Sequence, residues 1–211
     1  MTDSIYDQLN AYGTVAKQRF VETFSGDALV TDRWNTVDVN GTNTFAMSDS
    51  IDGGFKITTG ATVGNMGMLS FNNIRPFSNT GAVCIMVVQS NYVNMYNDFG
   101  LSDNQIADNG DSTFMRFSDQ YSTKINFVTA NAAGSTTDVA TSVALTTAWT
   151  TIKVENKTTS AEGSINGVLE VTNDSTTNRP TNRQQPIFKL NNAAVASAKS
   201  AQIRYVECYN T

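Results

Sequence analysis

The 211-residue chain contains no histidine. That absence excludes a Ser-His-Asp triad, an imidazole general base and the commonest zinc sites. Cysteine is nearly absent too, with only Cys84 and Cys208. Both sit inside apolar runs, where buried reduced thiols are expected in preference to a disulfide, and two cysteines alone are too few for a metal centre. Charged residues make up 16% of the chain, and no basic cluster is longer than a pair. No surface is therefore expected to displace counterions from a nucleic-acid backbone. The longest apolar run, Ala82–Val88, is too short to span a bilayer, so no membrane partner is expected either. Residues Met1–Asn10 carry acids but neither the basic nor the apolar region of a secretory signal. The expectation is a soluble protein made in a cytosol.

Short polar side chains fill the gap: 28 Thr, 23 Asn and 18 Ser account for a third of the residues. Thr favours strands, Asn and Ser favour turns, and none of the three is a strong helix former. An all-β domain follows. One segment reads differently. Ile5, Leu9, Tyr12, Ala16 and Phe20 recur at spacings that place them on one helical stripe, with Asp3 or Ser4 as a cap. The sequence thus predicts a short N-terminal helical arm over residues 1–23 and a β domain over 24–211. The stripe fits either a helix folded onto its own domain or an arm docked on a neighbour, with Ile5, Leu9, Tyr12 and Phe20 as its contact residues.

From Thr23 onward, short apolar or alternating runs are divided by Gly, Asn and Asp. Phe55–Ile57, Met66–Phe71, Gly81–Gln89, Phe99–Leu101, Phe114–Phe117, Lys124–Thr129, Ile152–Glu155, Ile187–Leu190 and Ile203–Tyr209 all read as strands. Asn131–Thr147, rich in Ala, Ser and Thr, reads as an exposed strand pair or a mobile loop. Asn166-Gly167, set between apolar residues, predicts a two-residue type I′ hairpin, in which both central residues take positive φ. Ten or more short strands with almost no helix suggest two antiparallel sheets packed face to face.

Several of these pieces, in this order, resemble the concanavalin A-like (lectin/glucanase, laminin-G-like) sandwiches. They are Phe24-Ser25-Gly26-Asp27 with Leu29 and Trp34, then Phe99 to Asp103, then Trp149 to Glu155 with Ser164 to Leu169, then Ile187 to Asn191, and finally Ile203 to Glu207. The resemblance implies a jelly-roll-type β-sandwich from residue 24 to the last residue. Glucanases of that superfamily carry catalytic carboxylates in an E-x-D-x-x-E pattern along one strand, which puts them on one sheet face. Of the five glutamates here, Glu22, Glu155, Glu162, Glu170 and Glu207, none begins E-x-D. No catalytic residue is expected on that basis.

Two further clusters are candidates for binding. Asp98, Asp103, Asp108 and Asp111, with Asn109, gather oxygen ligands of the kind calcium requires, although the spacing matches no EF-hand and such residues are common in turns. Tyr92, Tyr96 and Tyr121 lie in polar, amide-rich surroundings suited to holding sugar rings, or simply to capping a sandwich edge.

With its small amphipathic N-terminus, Asn- and Thr-rich strands and an Ile203–Thr211 end flush with the last strand, the chain also resembles small concanavalin A-like proteins of tailed-phage particles. That resemblance implies a non-enzymatic virion protein, a capsid decoration or cement protein bound to the major capsid protein or other virion proteins. A homo-oligomer, with a trimer favoured by head symmetry, follows from the same reading. The alternative is a carbohydrate-binding, host-recognising module on a fibre or spike, with a glycan as partner.

Overall fold

The computed structural model of the chain describes residues 18–48, 53–71, 74–104, 110–175, 177–192 and 196–211. Fifteen strands follow one another along it: β1 (Arg19–Glu22), β2 (Asn35–Val39), β3 (Thr44–Met47), β4 (Phe55–Thr58), β5 (Met66–Ser70), β6 (Ala82–Ser90), β7 (Tyr96–Ser102), β8 (Ser112–Phe117), β9 (Lys124–Ala130), β10 (Thr136–Ala144), β11 (Thr150–Asn156), β12 (Ala161–Ile165), β13 (Val168–Asn173), β14 (Gln185–Asn191) and β15 (Ser200–Asn210). They form two antiparallel sheets. The eight-stranded sheet runs β13-β12-β11-β6-β15-β4-β3, with β1 also paired to β15, and the seven-stranded sheet runs β10-β9-β8-β7-β14-β5-β2.

Side-chain alternation explains why the sheets stack. From β6, Cys84, Met86 and Val88 enter the core; from β7, Phe99 and Leu101; from β8, Met115 and Phe117; from β9, Ile125 and Phe127; from β14, Phe188 and Leu190. Phe99 stacks on Phe188 at 5.1 Å and meets Phe117 edge-on at 5.4 Å. Buried amides bridge the layers without disturbing this packing. Thr113 on β8 donates to Asn156 on β11 at 2.7 Å, and Asn173 on β13 donates to Thr129 on β9 at 2.6 Å. Each group keeps the partner that burial requires.

The predicted strands are present, and Asn131–Thr147 contains one strand, β10, at a sheet edge. The Asn166-Gly167 turn has φ of 50° and 83°, as a type I′ hairpin between β12 and β13 demands. The Phe24–Trp34 stretch leads into β2, with Phe24 and Trp34 buried 5.4 Å apart.

The predicted N-terminal helix is not supported: among the described residues there is no helix. Ile5, Leu9 and Tyr12 lie outside the described residues. Phe20, the last member of the stripe, is in β1 opposite Cys208 and packs on Phe71 at 4.7 Å and Trp34 at 5.6 Å. The eight-stranded sheet therefore takes in residues 19–22. The four-residue step from Ala16 to Phe20 is even, so it does not by itself separate a helix from a strand, and Phe20 proves to lie in a strand.

Candidate functional site

The outer face of the seven-stranded sheet, turned away from the core, carries an unusual row of side chains. In β7, β8 and β14 the core takes alternate residues, which leaves Asp98, Arg116 and Lys189 pointing outward. The register then sets these three side by side, Asp98 opposite Arg116 on one flank and opposite Lys189 on the other. Asn126 on β9 extends the row beyond Arg116, and Met68 on β5 extends it beyond Lys189.

Arg116 grips Asp98 with two parallel hydrogen bonds, Nε to Oδ1 at 2.8 Å and Nη2 to Oδ2 at 2.9 Å. Lys189 Nζ lies 3.8 Å from Oδ2. The Arg116 guanidinium is also ringed by aromatics, 4.8 Å from the Tyr121 ring, 5.1 Å from Phe114 and 5.8 Å from Tyr96. Such contacts add a cation–π attraction to the ion pair. Tyr96 and Tyr121 themselves meet at 5.2 Å. Asp98 is only 1% exposed and Lys189 4%, whereas Tyr121 is 54% exposed. A buried charged floor therefore lies beneath a solvent-facing tyrosine.

Burial shapes the protonation of this floor. It pushes the Asp98 carboxyl upward, but the charges and hydrogen bonds of Arg116 and Lys189 outweigh it and hold Asp98 below the usual carboxylate range. Burial lowers the Lys189 ammonium more than Asp98 can raise it. For Arg116 burial is likewise opposed by Asp98, which prevails, so the guanidinium stays charged. Asn126 Nδ2 donates to Asp138 Oδ1 on β10 at 2.5 Å, while Asn126 Oδ1 is buried without a hydrogen-bond partner.

Gly100 clears the space beside Asp98. A Cβ there would stand 2.4 Å from the Thr113 carbonyl oxygen and 2.7 Å from Phe114 Cα, so β8 can approach β7 only because residue 100 has no side chain.

The candidate residues read from the sequence divide as follows. Tyr96 and Tyr121 come together over Arg116, whereas Tyr92 packs at the margin of the core. Asp98 belongs to the charged row. Asp103 and Asp111 meet in the loops beyond the strand ends, where Asp103 N donates to the Asp111 carbonyl at 2.8 Å. Asp111 Oδ2 accepts from Thr181 N at 2.6 Å, from Thr181 Oγ1 at 2.8 Å and from Asn182 N, and its Oδ1 accepts from Ala132 N. Its carboxylate thereby ties two other loops to its own. Asp108 lies outside the described residues, and among those described no group of three or more His, Cys, Asp or Glu side chains is arranged to hold a metal ion.

Arg116 and Lys189 were not singled out from the sequence. The signal was there: each is a lone cation inside an apolar strand, Phe114-Met115-Arg116-Phe117 and Ile187-Phe188-Lys189-Leu190. The five glutamates all belong to strands of the eight-stranded sheet, so Asp98 is the carboxylate at the centre of this face among the described residues.

No family model matches the chain, and no curated protein matches it. Solved structures do. An endo-acting O-glycanase of the human gut microbiota superposes with a TM-score of 0.68 at 12% identity, covering 91% of this chain and 98% of that one. A glycoside hydrolase family 16 endo-glucanase from Bacteroides ovatus gives 0.65 at 12% identity, covering 89% and 98%. A β-glucanase from Bacillus licheniformis gives 0.64 at 15% identity, covering 92% and 98%.

These matches correct the functional expectation drawn from the sequence. A non-enzymatic capsid decoration protein of a tailed phage was expected, yet the similar structures are glucanases and an O-glycanase, and nothing links the chain to virion proteins. The features behind that expectation have a more local origin. Asn- and Thr-rich strands satisfy the bridging hydrogen bonds of the sandwich, and the last strand is an interior member of its sheet. What the superpositions establish is the architecture: an all-β, two-sheet jelly-roll sandwich of the concanavalin A-like kind, consistent with the glycoside hydrolase family 16 fold.

Proposed function

We propose that this chain is a carbohydrate-active protein that engages a saccharide on the outer face of the seven-stranded sheet. The observation that carries the reading is the exposed Tyr121 ring stacked over the buried, ion-paired Arg116 beside Tyr96. An aromatic face offers a sugar ring apolar C–H packing, and polar groups at its rim fix the hydroxyls. The charged row beneath keeps the rings in place. The matched O-glycanase and glucanases support the same class of ligand.

The test is titration of the purified chain with mixed-linkage β-glucan oligosaccharides and with mucin-type O-glycans, followed by calorimetry. Binding that weakens at least tenfold in Tyr121→Ala and Tyr96→Ala supports the reading. Equal binding by both variants, or no binding to either glycan class, overturns it.

Glycoside hydrolysis is the second reading, favoured by the enzymes among the matched structures. Asp98 is buried and already paired with Arg116 and Lys189, so on this face it would hold those groups in place rather than touch the sugar. Release of reducing ends from the same glycans by the purified chain is the measurement.

A further inference from the structure

Cys84 and Cys208 were expected to be separate buried thiols. Their placement is more specific than that. β6 and β15 are antiparallel neighbours, and their register puts Cys208 directly opposite Cys84. Both side chains point into the core, both are fully buried, and their sulfurs lie 2.8 Å apart. Directly opposed residues in an antiparallel pair have Cα atoms roughly 4.5–5.5 Å apart. A disulfide needs Cα atoms about 4.4–6.8 Å apart with the Cβ vectors converging. The register and the 2.8 Å approach of the two sulfurs place the cysteines within reach of such a bond, which a small closing shift of the side chains would complete.

We propose that Cys84 and Cys208 form a cross-strand disulfide when the chain folds under oxidising conditions. The two thiols lose two protons and two electrons as the S–S bond forms, and an external disulfide such as oxidised glutathione takes up both and leaves as two thiols. The timing is set by burial. Thiolate is the attacking species, and burial beside Cys84 drives the Cys208 thiol well above its ordinary range. Exchange therefore takes place while the chain is still open, and once the sandwich closes the bond is sealed from reductants. The bond joins two strands 124 residues apart in sequence, so it removes a large loop from the unfolded ensemble. It concerns the core and does not depend on the saccharide reading.

The experiment refolds the full chain from reduced denaturant, in one arm with a glutathione redox couple and in the other with excess reductant. Each product is then unfolded in an alkylating agent and weighed. The expected result is a glutathione-arm product two hydrogen masses lighter than the reduced chain, unalkylated, with one cross-linked peptide pair containing residues 84 and 208. Its unfolding midpoint lies above that of the reduced arm, and prior folding under reductant blocks later oxidation. Double alkylation in the glutathione arm, or separate mixed disulfides with glutathione on each cysteine, overturns the proposal. Because the assay reads the unaltered chain, it does not depend on a variant folding. Cys84→Ser serves as a second check and should leave Cys208 alkylated once in both arms.

Discussion

Arg116 and Asp98 face each other across neighbouring strands with both donor–acceptor distances at 2.8–2.9 Å, and each is shielded from water by its neighbours. Removing one member of such a pair leaves the other charge buried without its principal partner. Arg116→Ala is expected to lower unfolding free energy by about 3–5 kcal/mol, read by denaturant titration. Lysine at 116 should recover only part of the loss, because it cannot form the two-pronged contact.

The same pair sets an acid limit. Asp98 has a lower pKa folded than unfolded, so the unfolded chain binds this proton first as pH falls. Its contribution is therefore complete above the unfolded carboxyl pKa of about 4 and is lost as pH drops through the lower folded value. Thermal unfolding followed from neutral pH downward should show a steep decline below about pH 4, and Asp98→Asn should flatten that decline.

Tyr121 separates binding from stability. Its ring is more than half exposed, so Tyr121→Ala should move the unfolding free energy by no more than about 1 kcal/mol. Saccharide titration of the same variant should show the tenfold or greater loss. A variant that fails in both measurements would assign Tyr121 to the scaffold.

Asp111 fastens loops. Its carboxylate accepts hydrogen bonds from Ala132, Thr181 and Asn182. Asp111→Ala should cost about 2–3 kcal/mol, since three backbone N–H groups lose a buried, charged acceptor together. Hydrogen exchange should locate the loss of protection at those three amides.

Much of the architecture was legible because most strands carry their own signal, either an unbroken apolar run or an alternating one. Val83–Val88, Phe114–Phe117 and Ile187–Leu190 announce strands locally, and Asn166-Gly167 fixes its hairpin without help from the rest of the chain. The candidate site was legible only in pieces. Tyr96, Tyr121 and Asp98 stood out as residue types, but Arg116 and Lys189 gain their role from register, which joins residues 98, 116 and 189 across three strands. No local pattern encodes that pairing. The helix read over residues 1–23 illustrates the opposite difficulty: at its described end, Arg19–Glu22 pairs with the last strand, a long-range contact that local spacing does not announce. The virion reading took the texture of the sequence for its purpose, when that texture follows from how a sandwich bridges its layers.

Gly100 has an implication for how this surface can diverge. Any side chain there would press on the β8 backbone at Thr113 and Phe114, two residues from Arg116. The tightest constraint on the ionic row thus lies at a position that bears no charge, so an exposed neighbour such as Tyr121 is free to vary while residue 100 stays a single hydrogen atom.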